Sequence, residues 1–309
     1  MGKYIIKRIL AAIPLLIIIS FITFFLINLS PVDPVESIIR ARGIPQASDE
    51  MIQAERERLG LDKPLLVCYG NWIKKCAKLD FGESYCYSKT VAELILPAFA
   101  NTMKLVGVTA IVVILISILL GVICALTAGT FVDHGIRLFM VALSAMPSYW
   151  IAILLIYWIS VKLNVLPTSG MEGALNYILP VTVLAIHYLG FYFRLIRVSM
   201  IKNKLENYVI YERSCGISER RIVLHMMRNS MQTAVSAFCM AIPGLMAGSV
   251  VVENIFAWPG IGRLCISAIK DRDIPVIQTY ILIIAVAFIF FNLIADVISA
   301  MMNPRLREG

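Results

Sequence analysis

An all-α protein that crosses a membrane several times is what this sequence predicts, and three observations predict it. Of the 309 residues, 59% are hydrophobic and only 16% are charged, against roughly a quarter charged in a soluble domain. Apolar runs long enough to span a bilayer recur about six times. The basic residues behind the net charge of +8 fall between those runs, where the positive-inside rule and anionic lipid place them. They form no basic soluble face, so the charge does not point to nucleic acid. So large an apolar surface has to meet the lipid bilayer.

The first run, 9–29, follows Lys3, Lys7 and Arg8, an order shared with signal peptides. It is nevertheless of spanning length and no small-x-small cleavage site follows, so residues 1–29 are expected to be a retained first transmembrane helix. Ile6 stands where a myristoylation signal needs Ser or Thr. Segment 30–103 is expected to be an external cap. It holds a helical stretch near Asp49 to Leu59, rich in Glu and Arg, and is then punctuated by Gly60, Pro64, Gly70 and Gly82. Cys68, Cys76 and Cys86 lie here; outside the cytoplasm one pair could bridge, and their spacing fits no zinc pattern. Cys124 and Cys239 lie in apolar runs and read as small core hydrophobes.

The remaining runs, 104–127, 137–160, 178–199, 233–256 and 279–302, make up a five-helix core over 104–309. Each is expected to be one helix satisfying its own backbone hydrogen bonds, as lipid cannot do so. With six crossings, one side collects Lys3, Lys7 and Arg8, then Lys202, Lys204, Arg213, Arg220, Arg221 and Arg228, then Arg305 and Arg307. That side is the cytoplasm, and both termini are expected there. The opposite loop, 161–177, carries only Lys162. No low-complexity tract or inverted repeat is visible.

Within the runs, Pro147, Pro243, Gly244 and Gly248 are expected to kink helices or let them approach closely, which suits a pathway that opens on alternate sides and equally suits ordinary membrane-helix packing. The ionisable groups there are His187, Glu253 and Asp296. His187 is a candidate pathway group or a hydrogen-bonding group between helices, and Asp296 is expected to pair or face a subunit interface. No acidic chain suited to a proton-driven pump is present. Trp258, Pro259 and Gly260 break the helix at an external interface, either as a turn facing a receptor protein or with Trp258 as an interfacial anchor. Stretch 208–221 reads as a short amphipathic helix, a break at Gly216, and a second helix capped by Ser218. It fits equally a force-receiving element or a solvated basic loop. The chain has no Gly-x-x-x-x-Gly-Lys-Ser/Thr loop, no His-Glu-x-x-His and no Gly-x-Ser-x-Gly, so it offers no motif for holding ATP, for a zinc protease or for an esterase.

The loop resembles the coupling loop of ABC-importer permeases, in the form found in the dipeptide/oligopeptide/nickel branch: Tyr208, Arg213, Gly216 and Ser218 match, Arg228-Asn229 follow, and Ile210, Tyr211 and Glu212 depart from the wider family's Glu-Ala-Ala. Leu59–Leu65, Asp80–Ser84, Met146–Trp150, Leu166–Gly170, Glu253–Gly262 and Asn303–Arg307 resemble the same branch in order along the chain. The resemblance implies a type I ABC importer permease fold in a bacterial cytoplasmic membrane. It implies a second permease, usually a different chain, two ATP-binding subunits using ATP and Mg, and an external substrate-binding protein. It implies no catalysis and no bound cofactor or metal in this chain. The residues expected to couple to the ATPase are Tyr208, Glu212, Arg213, Gly216, Ser218 and Arg228. Segments 253–260 and 272–278 are most similar to nickel or metal-chelate permeases, with short peptides as the alternative cargo. A naked soft metal would want more His or Cys along its route than the three His here provide. A secondary transporter or channel is the rival class, and a membrane enzyme a third.

Overall fold

The computed structural model describes residues 2–28, 35, 48–59 and 63–302. Gly60 and the Asn303–Arg307 motif, with its two arginines, lie outside the described residues. Regular structure among the described residues is helical, apart from an isolated bridge between Glu83 and Thr90. The chain divides into two compact units, Gly2–Asn101 with Pro259–Ile289, and Thr102–Trp258 with Phe290–Gly309.

The first unit begins with α1 (Gly2–Asn28), followed by α2 (Asp49–Leu59) and α3 (Leu65–Cys76). α1 and α3 meet through aromatic rings: Phe21 lies edge-on to Tyr69 at 5.3 Å and Phe24 is 5.7 Å from Trp72. The Tyr69 hydroxyl lies 2.8 Å from that of Ser20. α4 (Val91–Leu126) starts well before residue 104, so its first turns belong to this unit. There Val91, Ile95 and Ala98 pack with Ile261 and Ala268 of α10 (Ile261–Asp271) and Val276 of α11 (Ile274–Met302). Asp273, fully buried, stands just ahead of α11. Its carboxylate accepts from the Ser84 hydroxyl and from the Tyr85 N–H at 3.2 Å. The Asp80–Ser84 and Arg272–Gln278 motifs, far apart in sequence, therefore meet at one carboxylate.

All seven cysteines are unbridged. The Cys68 thiol donates to the Lys63 carbonyl and the Cys86 thiol to the Asp271 carbonyl. Burial, then the nearby carboxylates Asp273 and Asp271, push Cys86 up to about 11.

In the second unit α4 continues and is followed by α5 (Phe131–Ala145), α6 (Ser148–Leu155), α7 (Leu175–Lys204), α8 (Asn207–Ser214) and α9 (Glu219–Ile255). α6 widens into a π-type winding over Ile156–Lys162, where the Leu163 N–H reaches back to the Trp158 carbonyl. Among the described residues, four helical segments are long and apolar enough to cross a bilayer, Val91–Leu126, Leu175–Lys204, Ala237–Ile255 and Ile274–Ile298, and a fifth if the bent pair Phe131–Ala145 and Ser148–Lys162 is one span. The apolar stretch Leu10–Leu26 of α1 is shorter.

The expectation of one straight helix over 137–160 is not met. α5 stops at Ala145, and α6 leaves at 102° to it. The cause is Pro147. Its ring keeps the preceding residue out of the helical region, and Met146 accordingly sits at φ −80°, ψ 138°. Pro147 itself, at φ −59°, precedes the first turn of α6, where its missing N–H costs nothing.

α7 is the most enclosed of the spanning helices, with 61% of its most apolar window buried against 44% for α9. Glycine makes that possible. A methyl group on Gly121 of α4 would lie 2.8 Å from Cβ of Ile196 and 3.0 Å from the Phe193 carbonyl oxygen, both on α7. The obstruction includes backbone, so no rotamer change relieves it.

Gly121→Val is expected to destabilise the folded chain by about 1–3 kcal/mol, the usual cost of overpacking. Gly107→Val, at a position open to 4 Å, serves as the control in thermal unfolding read by intrinsic fluorescence. At Cys86 a thiol held neutral should alkylate slowly at neutral pH and speed up as pH rises toward 11, measurable by mass spectrometry of iodoacetamide-treated protein.

Candidate functional site

Two places in the second unit gather the residues singled out from sequence: the turn at Gly216 and a cavity between α6, α7 and α9.

At the end of α7 the chain turns through Leu205 and Glu206 into the two-turn helix α8. α8 ends in a Schellman motif. The Ile217 N–H donates to the Glu212 carbonyl at 3.1 Å and the Gly216 N–H to the Arg213 carbonyl at 3.0 Å, with Gly216 at φ +73°. The glycine is needed because that left-handed backbone crowds any Cβ. Ser218 then occupies the N-cap of α9 with extended backbone, but its hydroxyl makes no capping hydrogen bond. The expected side-chain cap is thus absent, and the end of the helix is held elsewhere. Arg213 donates through Nε to Oε1 of Glu219 at 2.8 Å and through Nη2 to Oε2 at 3.1 Å, a two-pronged clamp across the turn. Arg213 holds the Glu219 carboxyl below its ordinary value, and Glu219 raises Arg213 in return. A second link joins Glu212 Oε1 to His225 Nδ1 at 2.8 Å. Beneath them Val209 of α8 and Ile222 and Met226 of α9 are buried.

Tyr208 faces inward: its hydroxyl donates to Oδ1 of Asn203 at 3.2 Å, and the Asn203 amide donates to the Ser230 hydroxyl at 3.0 Å. Arg228 is exposed on α9 and shares none of these bonds. What α8 leaves outward is apolar: Ile210 is 58% and Tyr211 71% exposed. In the coupling-loop pattern that this stretch resembles, Ile210 stands in place of Glu and Tyr211 in place of the first Ala.

The cavity has a volume of about 420 Å³ and is lined by Ser148, His187, Tyr188, Phe191, Gly248 and Val252 among others. His187 and Gly248, both expected on a pathway, line it. Pro147 sets the start of α6, whose first residue, Ser148, is on the wall. Gly244 acts one layer behind: a methyl there would lie 2.7 Å from the Tyr188 hydroxyl oxygen. Pro243 is buried in α9 and does not line the cavity. The walls are mainly aromatic and aliphatic, with an imidazole and hydroxyl groups as the polar exceptions. Among the described residues no cluster of His, Cys, Asp or Glu could hold a metal ion.

Trp258 is fully buried and packs edge-on against Tyr177 at 4.6 Å. Its side chain is thus enclosed by this chain's own residues, whereas both a receptor-facing turn and an interfacial anchor were expected of an exposed ring. Pro259 is the exposed residue of the turn, Gly260 is buried, and the Pro259 carbonyl accepts from Asn101 at 3.1 Å. Two polar clusters escaped the sequence reading. Glu253 is buried, and its Oε1 accepts from the hydroxyls of Thr102 at 2.6 Å and Ser249 at 2.9 Å. Asp133, also buried, takes two 2.7 Å bonds from Arg197. Glu253 was visible as an acid near a helix end, but Asp133 and Arg197 lie 64 residues apart with no shared pattern.

Gly216→Val is expected to cost about 1–2 kcal/mol locally, since a left-handed backbone rejects a β-branched residue, and to open 205–218 to protease. Gly216→Asn, which tolerates that backbone, should stay protected. Limited proteolysis with mass spectrometry reads both.

Residues 117–308 match the family described as binding-protein-dependent transport system inner membrane component, and residues 1–106 match the N-terminal family of such membrane components. The metal-staphylopine import system permease protein CntB of Staphylococcus aureus is 49% identical over 309 residues, covering 100% of this chain and 99% of that protein. The glutathione transport system permease protein GsiC of Escherichia coli is 34% identical over 308 residues, covering 99% of each. A solved chain of the MetNI methionine ABC transporter, in inward-facing conformations, superposes with a TM-score of 0.59 at 15% identity, covering 70% of this chain and 100% of that one. The helices, the broken span and the clamped turn thus make up a type I importer permease fold, and the chain belongs to the inner membrane components of binding-protein-dependent transport systems.

Proposed function

We propose that this chain is the permease through which an ATP-driven importer passes a metal bound to a small organic chelator. The observation that carries the reading is α8: a two-turn helix outside the spans, clamped at its end and presenting Ile210 and Tyr211 outward. An exposed apolar face on a rigid element suits a soluble partner. The partner would be an ATP-binding subunit, one of two, which uses ATP and Mg. A second permease, of different sequence, would complete the pore, and an external binding protein would deliver cargo. The turn then faces the cytoplasm, and with it both termini. Nucleotide acts by binding one arrangement of the assembly better than the other.

Two observations support the cargo. CntB, named for metal-staphylopine import, shares nearly half its residues with this chain along its full length. The cavity offers an imidazole and aromatic rings rather than a ligand set, which suits a metal whose ligands travel with it. GsiC, named for glutathione transport, supports a short peptide as the second reading.

Cells carrying the importer should accumulate nickel, the metal used as probe, only when chelator is supplied, read by elemental mass spectrometry. The Arg213→Ala/Glu219→Ala double variant should lower uptake about tenfold or more, within the usual range of coupling energies, while the chain still reaches the membrane. Uptake that survives loss of the ATPase subunits would mean a secondary transporter. Uptake of labelled glutathione or dipeptide in place of chelated metal would favour the peptide reading.

A further inference from the structure

A second cavity, of about 500 Å³, lies between the first turns of α5 and the last three turns of α7. Three arginines stand in its wall, Arg137, Arg194 and Arg197. Asp133 is the carboxylate that Arg137 and Arg197 share. It takes both bonds of Arg197, and Arg137 approaches it only through Nε at 3.3 Å, in a geometry that leaves this nitrogen without a hydrogen bond. Arg194 is exposed and makes no ion pair among the described residues. Three arginines beside one carboxylate leave an excess of two positive charges, and no carboxylate lines the cavity itself.

The surroundings say what would balance them. Leu138, Val141 and Val198, all about half exposed or more, line it together with the buried Phe193 ring and His134. Arg194 and Arg197 lie within an apolar spanning helix, where an uncompensated charge is costly. A soluble anion would satisfy the guanidiniums and leave the apolar wall bare. An anionic phospholipid satisfies both, with its headgroup at the arginines and its acyl chains along the aliphatic wall.

We propose that this cavity binds the headgroup of an anionic phospholipid. Since α7 runs on into α8, the lipid belongs to the leaflet on the side of the docking helix. That it is the cytoplasmic leaflet rests on the orientation proposed above, but the test below reads retention and not leaflet.

The assembled importer is purified into nanodiscs of equal phosphatidylglycerol and phosphatidylcholine, and lipid retained per permease is counted by native mass spectrometry. Phosphatidylglycerol should be retained in preference. Arg194→Gln should lower that preference about fivefold, and Arg137→Gln/Arg194→Gln about twenty-fivefold, at roughly 1 kcal/mol for each arginine near a charged surface. Arg194 is exposed and unpaired, so its variant should fold even if the double variant does not. Arg220→Gln/Arg221→Gln, with the same loss of charge on α9, should leave retention unchanged. Equal loss in that control would mean diffuse attraction and would overturn the proposal. So would displacement of the lipid by inorganic phosphate. So would retention by the isolated chain but not by the assembled importer, which would mean that the second permease covers the site.

Discussion

The close approach of three helices to α7 is the constraint on which the second unit is built. α4 reaches it where Gly121 meets Ile196, α5 where Gly190 of α7 meets Ser144, and α9 where Gly244 meets Tyr188. In lipid, apolar side chains gain little by meeting each other rather than acyl chains, so helices associate through close contact and buried polar groups. Small residues on the contact faces supply the first. The second comes from bonds such as Arg197 to Asp133 and Tyr192 to the Ala237 carbonyl. The cavity beside His187 is what remains once α9 has been drawn onto α7 at Gly244 and Gly248.

Backbone leaves helical geometry at few places in this unit, and the two that matter differ in kind. At Met146–Pro147 the break is imposed by what a residue lacks, since proline has no N–H to donate and keeps Met146 extended. At Gly216 it is permitted by what a residue lacks, since without a Cβ the chain can take φ +73° and close a Schellman motif. The first sets the entry of α6, so that Ser148 stands on the cavity wall. The second ends α8 and brings Arg213 back onto Glu219.

These differences explain what could be read from sequence. The helices were legible because apolar runs of spanning length have few alternatives in lipid. The Gly216 turn was legible because a glycine after a short amphipathic stretch is a local signal. The break at Pro147 was not, because hydropathy averages over a window and Met146 and Pro147 leave the run as apolar as before. The Ser218 hydroxyl was read as a cap on position alone, whereas Glu219 is held instead by an arginine six residues upstream. The burial of Trp258 against Tyr177 and the bond from Arg197 to Asp133 join residues far apart in sequence, and no periodicity announces such pairs.

The clamp and the cavity belong to one element, and this is the mechanical content of the fold. α9 runs from Glu219, held by Arg213, to Ile255, just beyond Val252 on the cavity wall. Its 37 residues make a rod of about 55 Å at the usual rise. Arg213 on Glu219 and Glu212 on His225 tie α8 to the first turns of α9 across the Gly216 turn. Along the rod one hydrogen bond is missing, at Pro243, and the next residue is the glycine against the Tyr188 hydroxyl. The rod is therefore most easily bent where it touches α7, at the edge of the cavity. Pro243 does not line the cavity, yet it stands next to Gly244, where α9 touches α7.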